Sequence, residues 1–336
     1  MTHALSENAP GAAGGAFDRS RVFNAQLLTS LGPLIALVLA CAYFASQSDR
    51  FFTGSNISLI IQQSMVVAIL AIGQTLIILT AGIDLSIGAV MALGTIVMTK
   101  LAVQNGVNPY LAILLGVLTC AGFGLANGLL ITRLRLPPFI VTLGTLNIAY
   151  ALTHIYSEEQ TITKLPAAQT WLRTSFTIGE TRVPYSAVLM FILYLMTWYV
   201  LRQTASGRHI YAIGNNPEAA RLTGINVRRM LVYVYTIAGV FYGIAGMVII
   251  ARTQVGNPQE GQTDNLDSIT AVVLGGTSLF GGRGGVMGTL IGALLVGIFR
   301  NGLQLTGVAS IYQRLITGIL VILAVSVDQL ARRRQG

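Results

Sequence analysis

Few residues of this chain could do chemistry, and they concentrate in two short stretches. In "LTAGIDLSIGAVMALG", Leu79 to Gly94, a single carboxylate, Asp84, interrupts an otherwise apolar run. Gly82 is placed to end one helix and Asp84 to begin the next, where its carboxylate would accept backbone N–H groups as an N-cap and favour the positive end of the helix dipole. An ionisable group inside a membrane segment is also a candidate for a transport route or its gate. A break between two helices suits both roles. Ser86, Asn147 and Asn301, polar side chains within apolar runs, are further candidates for such a pathway.

The second stretch is "GNNPEAARLTGINVRR". Asn216 can cap a helix, Pro217 suits its first position, Glu218 complements the N-terminal dipole, and Gly224 can take the left-handed conformation that closes it. These signals predict a short helix from Pro217 to Thr223. Arg221 adds charge, and the small Ala219 and Ala220 would allow close approach to a partner's groove.

Other chemistries are excluded. Lys100 and Lys164 are the only lysines, and neither belongs to a G-x-x-x-x-G-K-[ST] phosphate loop, so the chain cannot hydrolyse ATP by that route. Cys41 and Cys120 fall in apolar runs without metal-ligand spacing, and His154 stands alone near a span end. No catalytic residue and no metal site is expected.

The elements that position these residues follow from composition. Of 336 residues, 53% are apolar and 10% charged, and the mean hydropathy is +0.69, which belongs to an integral membrane protein. Bilayer-length apolar segments of roughly 17–25 residues recur along the chain. They predict an all-α polytopic bundle of about ten helices, some broken or Gly-rich, because lipid leaves no open sheet edge viable. One of these segments, near Ser268 to Phe280, is short and interrupted by glycine. Residues 1–26 are expected to form a disordered tail, 27–330 the membrane domain with a cytoplasmic loop at 202–230, and 331–336 a basic tail. Gly124 and Gly128, Gly239 and Gly243, and Gly288 and Gly292 are spaced for close helix packing in lipid.

The formal net charge of +9 is explained by membrane topology rather than by nucleic acid. Arg19, Arg21, Arg133, Arg135, Arg202, Arg208, Arg221, Arg228, Arg229, Arg283 and Arg332 to Arg334 all fall on one side if both termini are cytoplasmic. The long loops Ser157 to Tyr185, outside, and Arg202 to Met230, inside, are then candidate docking surfaces.

Together with the first stretch, "LPPFIVTLGTLNIAYAL", "GRHIYAIGNNPEAARLTGINV", "LDSITAVVLGGTSLFGGRG" and "GTLIGALLVGIFRNGLQLTGV" resemble the permease subunits of ribose, xylose and fructose-type ATP-binding cassette importers. The resemblance covers almost the whole chain after its N-terminal tail. It implies a bacterial inner-membrane permease that moves a monosaccharide and pairs, usually with a second copy of itself. It also implies a cytoplasmic ATPase subunit, which carries the ATP and magnesium, and a periplasmic sugar-binding protein. In such importers a short cytoplasmic helix, matched by Pro217 to Thr223, engages the ATPase. Two competing readings are a proton-coupled secondary transporter using Asp84, and an importer of the same architecture for a branched-chain amino acid or nucleoside.

Overall fold

The structure is a computed structural model. It describes residues 19–309 and, beyond them, 311–313, 315–316, 318–319 and 322, with side chains from Gly32 onward. The first part of the expected tail, most of the segment expected at Ile311 to Val327, and the basic tail 331–336 lie outside the described residues.

Nine of the expected apolar segments fall in helices. These are α1 (Arg19–Gln47), α2 (Gly54–Leu79), α3 (Ile87–Val103), α4 (Pro109–Arg133), α5 (Pro138–Ser157), α7 (Tyr185–Gln203), α10 (Val227–Thr253), α11 (Asp264–Leu274) and α12 (Val286–Leu305). Between them lie the short α6 (Ala167–Thr170), α8 (Ala205–Asn215) and α9 (Pro217–Leu222), with a 3-10 turn at Trp171–Arg173. Among the described residues six helices, α2, α4, α5, α7, α10 and α12, are long and apolar enough to cross a membrane, with Gly32–Gln47 of α1 and α3 as shorter apolar helices. Six is fewer than the ten segments counted in the sequence. α11, for example, stops at Leu274, where "GGTSLFGGRGG" gives Gly276, Gly281, Gly282 and Gly284 positive φ and ends the helix early. Its length is roughly 16 Å at 1.5 Å per residue, about half a hydrocarbon core. α1 already begins at Arg19, inside the stretch read as tail, since adding residues to an existing helix is far easier than starting one.

Capping explains several starts. Asn108 Oδ1 accepts from the amide of Tyr110 at 3.0 Å with Pro109 in the first position, and Asn226 Oδ1 accepts from Arg229 N at 3.0 Å. α2 forms the centre of the bundle: every residue from Ser64 to Leu79 is buried. α10, α12, α11 and α7 pack around it. The outward faces of α4, α5 and α7 instead expose Leu114, Leu118, Ile148, Ile155, Phe191 and Met196, a surface suited to lipid.

The glycine pairs set the closest contacts. Gly124 and Gly128 of α4 lie against Tyr235 and Val232 of α10, while Gly239 and Gly243 of α10 lie against Cys120 and Val117 of α4. A methyl group at Gly239 would fall 2.4 Å from the Cys120 carbonyl oxygen. Gly288 and Gly292 of α12 meet Gly275 and Ala271 at the end of α11 in the same way.

An all-helical reading leaves out one element. β1 (Ser175–Ile178) and β2 (Thr181–Pro184) form an antiparallel hairpin in the loop after α5. Its two-residue turn starts at Gly179, whose φ of +59° fits the Gly-first turn that matches strand twist. The hairpin sits on the start of α2, where Ser58 Oγ donates to the Arg182 carbonyl at 2.6 Å and Gly54 leaves room for the backbone of Glu180.

Candidate functional site

Between α2 and α3 the chain unwinds over Thr80 to Ser86. Ala81, rather than Gly82, takes the left-handed conformation, with φ +61°. The amides of Ala81 and Gly82 donate to the carbonyls of Ile78 and Ile77, a closing pattern usually built with glycine. Gly82 is needed for another reason: a side chain there would meet the Tyr235 hydroxyl at 2.6 Å. Ser86 is the N-cap of α3. Asp84 therefore acts two residues earlier than expected, as the acceptor of a turn that leads into the helix. Its Oδ1 accepts from Ser86 N at 2.7 Å and Ser86 Oγ at 2.6 Å, and Oδ2 accepts from the Tyr242 hydroxyl at 3.1 Å. Asn127 Nδ2 donates to Ser86 Oγ at 3.2 Å. Asp84 and Ser86 are fully buried.

The other two pathway candidates lie elsewhere. Asn147 is exposed on α5 and donates to its own helix at the Leu143 carbonyl. Asn301 is buried in a reciprocal amide pair with Asn56, with N–O distances of 2.9 and 3.0 Å, that ties α12 to α2.

Residues 204–226 form a compact helical unit. Thr204 caps α8, which buries Gly207, Ile210, Ile213 and Gly214 on one face, so a helix lies where a loop is expected, with its periodicity present in "ASGRHIYAIGN". α9 follows directly. Asn216 Oδ1 accepts from the amides of Glu218 and Ala219, both at 3.0 Å, and Glu218 pairs with Arg221 at 3.0 Å. The helix ends at Leu222, one residue inside the expected end, with Thr223 as its C-cap. The amides of Gly224 and Ile225 donate to the carbonyls of Arg221 and Ala220 at 3.0 and 3.1 Å, with Gly224 at φ +89°. The expected surface changes in one respect. Ala220 is buried against the protein itself, whereas Leu222, which sequence reasoning passed over, is 77% exposed.

Three cavities bear on the site, two of them beside α2 and α10. One of about 240 Å³ is lined by Gln63, Val66 and Val67 of α2, Ile249 and Arg252 of α10, Arg300 of α12, and residues 259–264 between α10 and α11. A second, of about 180 Å³, lies on the other side of that connecting strap against α3 and α5, and shares Glu260, Gly261 and Gln262 with the first. A third, of about 400 Å³, lies under the hairpin and holds Arg173, Arg182 and Arg252. Asp84 lines none of these three. The strap and α3 approach each other backbone to backbone: a methyl on Gly88 would fall 1.9 Å from the Gly261 carbonyl oxygen. Arg252 donates to the Gln62 carbonyl at 2.9 Å, and Arg300 pairs with Asp267. Burial pushes the Glu260 carboxyl above its ordinary value, and the nearby Arg252 opposes that shift. Among the described residues no group of three His, Cys, Asp or Glu side chains is placed to hold a metal ion.

Residues 56–325 match the family described as the permease component of the branched-chain amino acid transport system. The chain belongs to this family. It is thus a multi-pass membrane transport subunit rather than an enzyme. Among curated proteins it is 44% identical over 307 residues to the fructose import permease protein of Rhizobium meliloti, covering 90% of this chain and 85% of that one. It is 39% identical over 310 residues to the ribose import permease protein of Escherichia coli (strain K12), covering 92% and 96%. To the ribose import permease protein of Bacillus subtilis (strain 168) it is 38% identical over 315 residues, covering 93% and 96%.

Proposed function

We propose that this chain is the permease subunit of an ATP-binding cassette importer that moves a monosaccharide across the bacterial inner membrane. The observation that carries this reading is similarity along nearly the whole chain to permeases named for fructose and ribose, although the family description names branched-chain amino acids. ATP and magnesium act on a separate ATPase subunit, because the chain has no phosphate loop of its own. The α8–α9 unit is its docking element, with capped, rigid backbone and Leu222 presented outward. The arginine bias supports placing this unit and both termini in the cytoplasm, with the hairpin facing a periplasmic sugar-binding protein. Ten membrane segments, counting the half-length α11 and the segment after α12, and a second copy of the chain complete the assembly. Nucleic acid has no part in it.

The test is uptake in a strain lacking this chain but retaining its ATPase and binding protein. Restored accumulation of radiolabelled fructose or ribose supports the reading. Restored leucine accumulation without either sugar overturns the cargo assignment.

A further inference from the structure

The cavity between α2, α10, α12 and the 259–264 strap is more than a gap in packing. Glu260 and Asp264 line it, and neither side chain makes a hydrogen bond or a direct ion pair among the described residues. Arg252 is anchored to the Gln62 carbonyl through one nitrogen and has further donors left. Gln63 Oε1 has no partner, and its amide nitrogen makes only a long contact, 3.5 Å, with Gln304. Buried polar groups in a native protein are normally satisfied, and charged ones are satisfied at greatest cost when left alone. One buried amide oxygen and several half-buried charged groups thus converge on one space with donors and acceptors left for a ligand.

The lining also restricts the ligand's chemistry. Two guanidinium and two carboxylate groups face the space, so it carries no formal excess of either sign. Donors and acceptors both line it. Val66, Val67 and Ile249 border it, but the surface it presents is almost entirely polar. Its volume of about 240 Å³ lies below the ~300–1,000 Å³ typical of pockets for larger ligands. A small molecule rich in hydroxyls meets these conditions, since each hydroxyl both donates and accepts.

We infer that this cavity is a binding site for a monosaccharide within the permease itself, with Glu260 and Asp264 accepting from sugar hydroxyls and Arg252 donating to them. The inference rests on the cargo class proposed above. The strap carries Glu260 and Gln262 into both this cavity and the one against α3 and α5, so it is the wall between them.

The experiment uses the full chain in lipid nanodiscs with cysteine placed at exposed position 262 (Gln262→Cys). A hydrophilic thiol reagent is applied with and without D-fructose or D-ribose, and the parent chain gives the background from Cys41. Either sugar is expected to slow modification of the introduced cysteine. Adding Glu260→Gln or Asp264→Asn, near-isosteric changes at side chains that bond nothing in the fold, is expected to raise the half-protecting sugar concentration about tenfold or more. Monodisperse elution in size-exclusion chromatography checks each variant's folding. Absence of protection by either sugar, or equal protection in well-folded Glu260→Gln and Asp264→Asn chains, overturns the site. If these chains still import sugar, the proposed function stands without it. Protection by leucine but by neither sugar overturns the sugar assignment of this cavity and the cargo reading together.

Discussion

Valine at Gly224 isolates the contribution of one backbone conformation to coupling. Nothing lies within 4 Å of the position its Cβ would occupy, so the substitution causes no collision. What it changes is the cost of φ +89°, which a residue with a Cβ adopts at about 1–2 kcal/mol. That conformation lets the Gly224 and Ile225 amides close α9. Against an opened loop, the closed form should lose a factor of about 5–30 in population. Asparagine tolerates the left-handed region far better, so Gly224→Asn serves as the matched control. With wild type, Gly224→Val and Gly224→Asn expressed beside the ATPase, membrane abundance should be equal in all three. ATPase co-purification and sugar uptake should fall severalfold in the valine chain alone. Wild-type co-purification and uptake in Gly224→Val would refute the reasoning and reduce α9 to an ordinary loop helix.

Three further outcomes follow from the geometry. Asp84→Asn retains an oxygen for the Ser86 donors and should keep most of the folding yield, whereas Asp84→Leu leaves the two Ser86 donors and the Tyr242 hydroxyl unmatched, at about 1–3 kcal/mol each, and should lose monodisperse protein on size exclusion; equal yields would discount the turn. Gly239→Ala should lower the thermal midpoint by an amount corresponding to about 1–3 kcal/mol, while Gly122→Ala, with open space around it, should not; equal midpoints would mean that the α4–α10 contact yields easily. Cysteines introduced at Ala167 and Gln335 should differ on intact cells, with a membrane-impermeant thiol reagent labelling the first and not the second; the reverse would invert the topology.

What the sequence shows and what it hides follow from the range of each signal. The start and end of α9 are legible because Asn216, Pro217 and Gly224 act on backbone within a few residues of themselves. The three glycine pairs are legible as spacing, but their partners Cys120, Tyr235 and Ala271 come from packing over long separations. Ala220 and Leu222 are indistinguishable in orientation from sequence, since a helix of six residues carries too little periodicity to assign faces. The hairpin hides in a polar loop, although "FTIGETRV" alternates and turns at glycine. The charged cavity is the least legible feature. Gln63, Arg252, Glu260, Asp264 and Arg300 lie on different elements, and no local pattern joins them.

The unwound end of α2 touches both the proposed docking unit and the loop after α11, and at Leu79 it does so through main chain. The amide of Gly282 donates to the Leu79 carbonyl at 3.0 Å, and a methyl on Gly214, in α8, would fall 1.8 Å from that same oxygen. A contact between side chains can absorb a small displacement by changing rotamer; a contact between backbones cannot, because no torsion lies between the two surfaces. α8, the end of α2 and the turn at Gly282 therefore behave mechanically like a keyed joint rather than a cushion. A shift of α8 by a fraction of an ångström has to be taken up as movement of the chain itself at Leu79, immediately before the segment that holds Asp84.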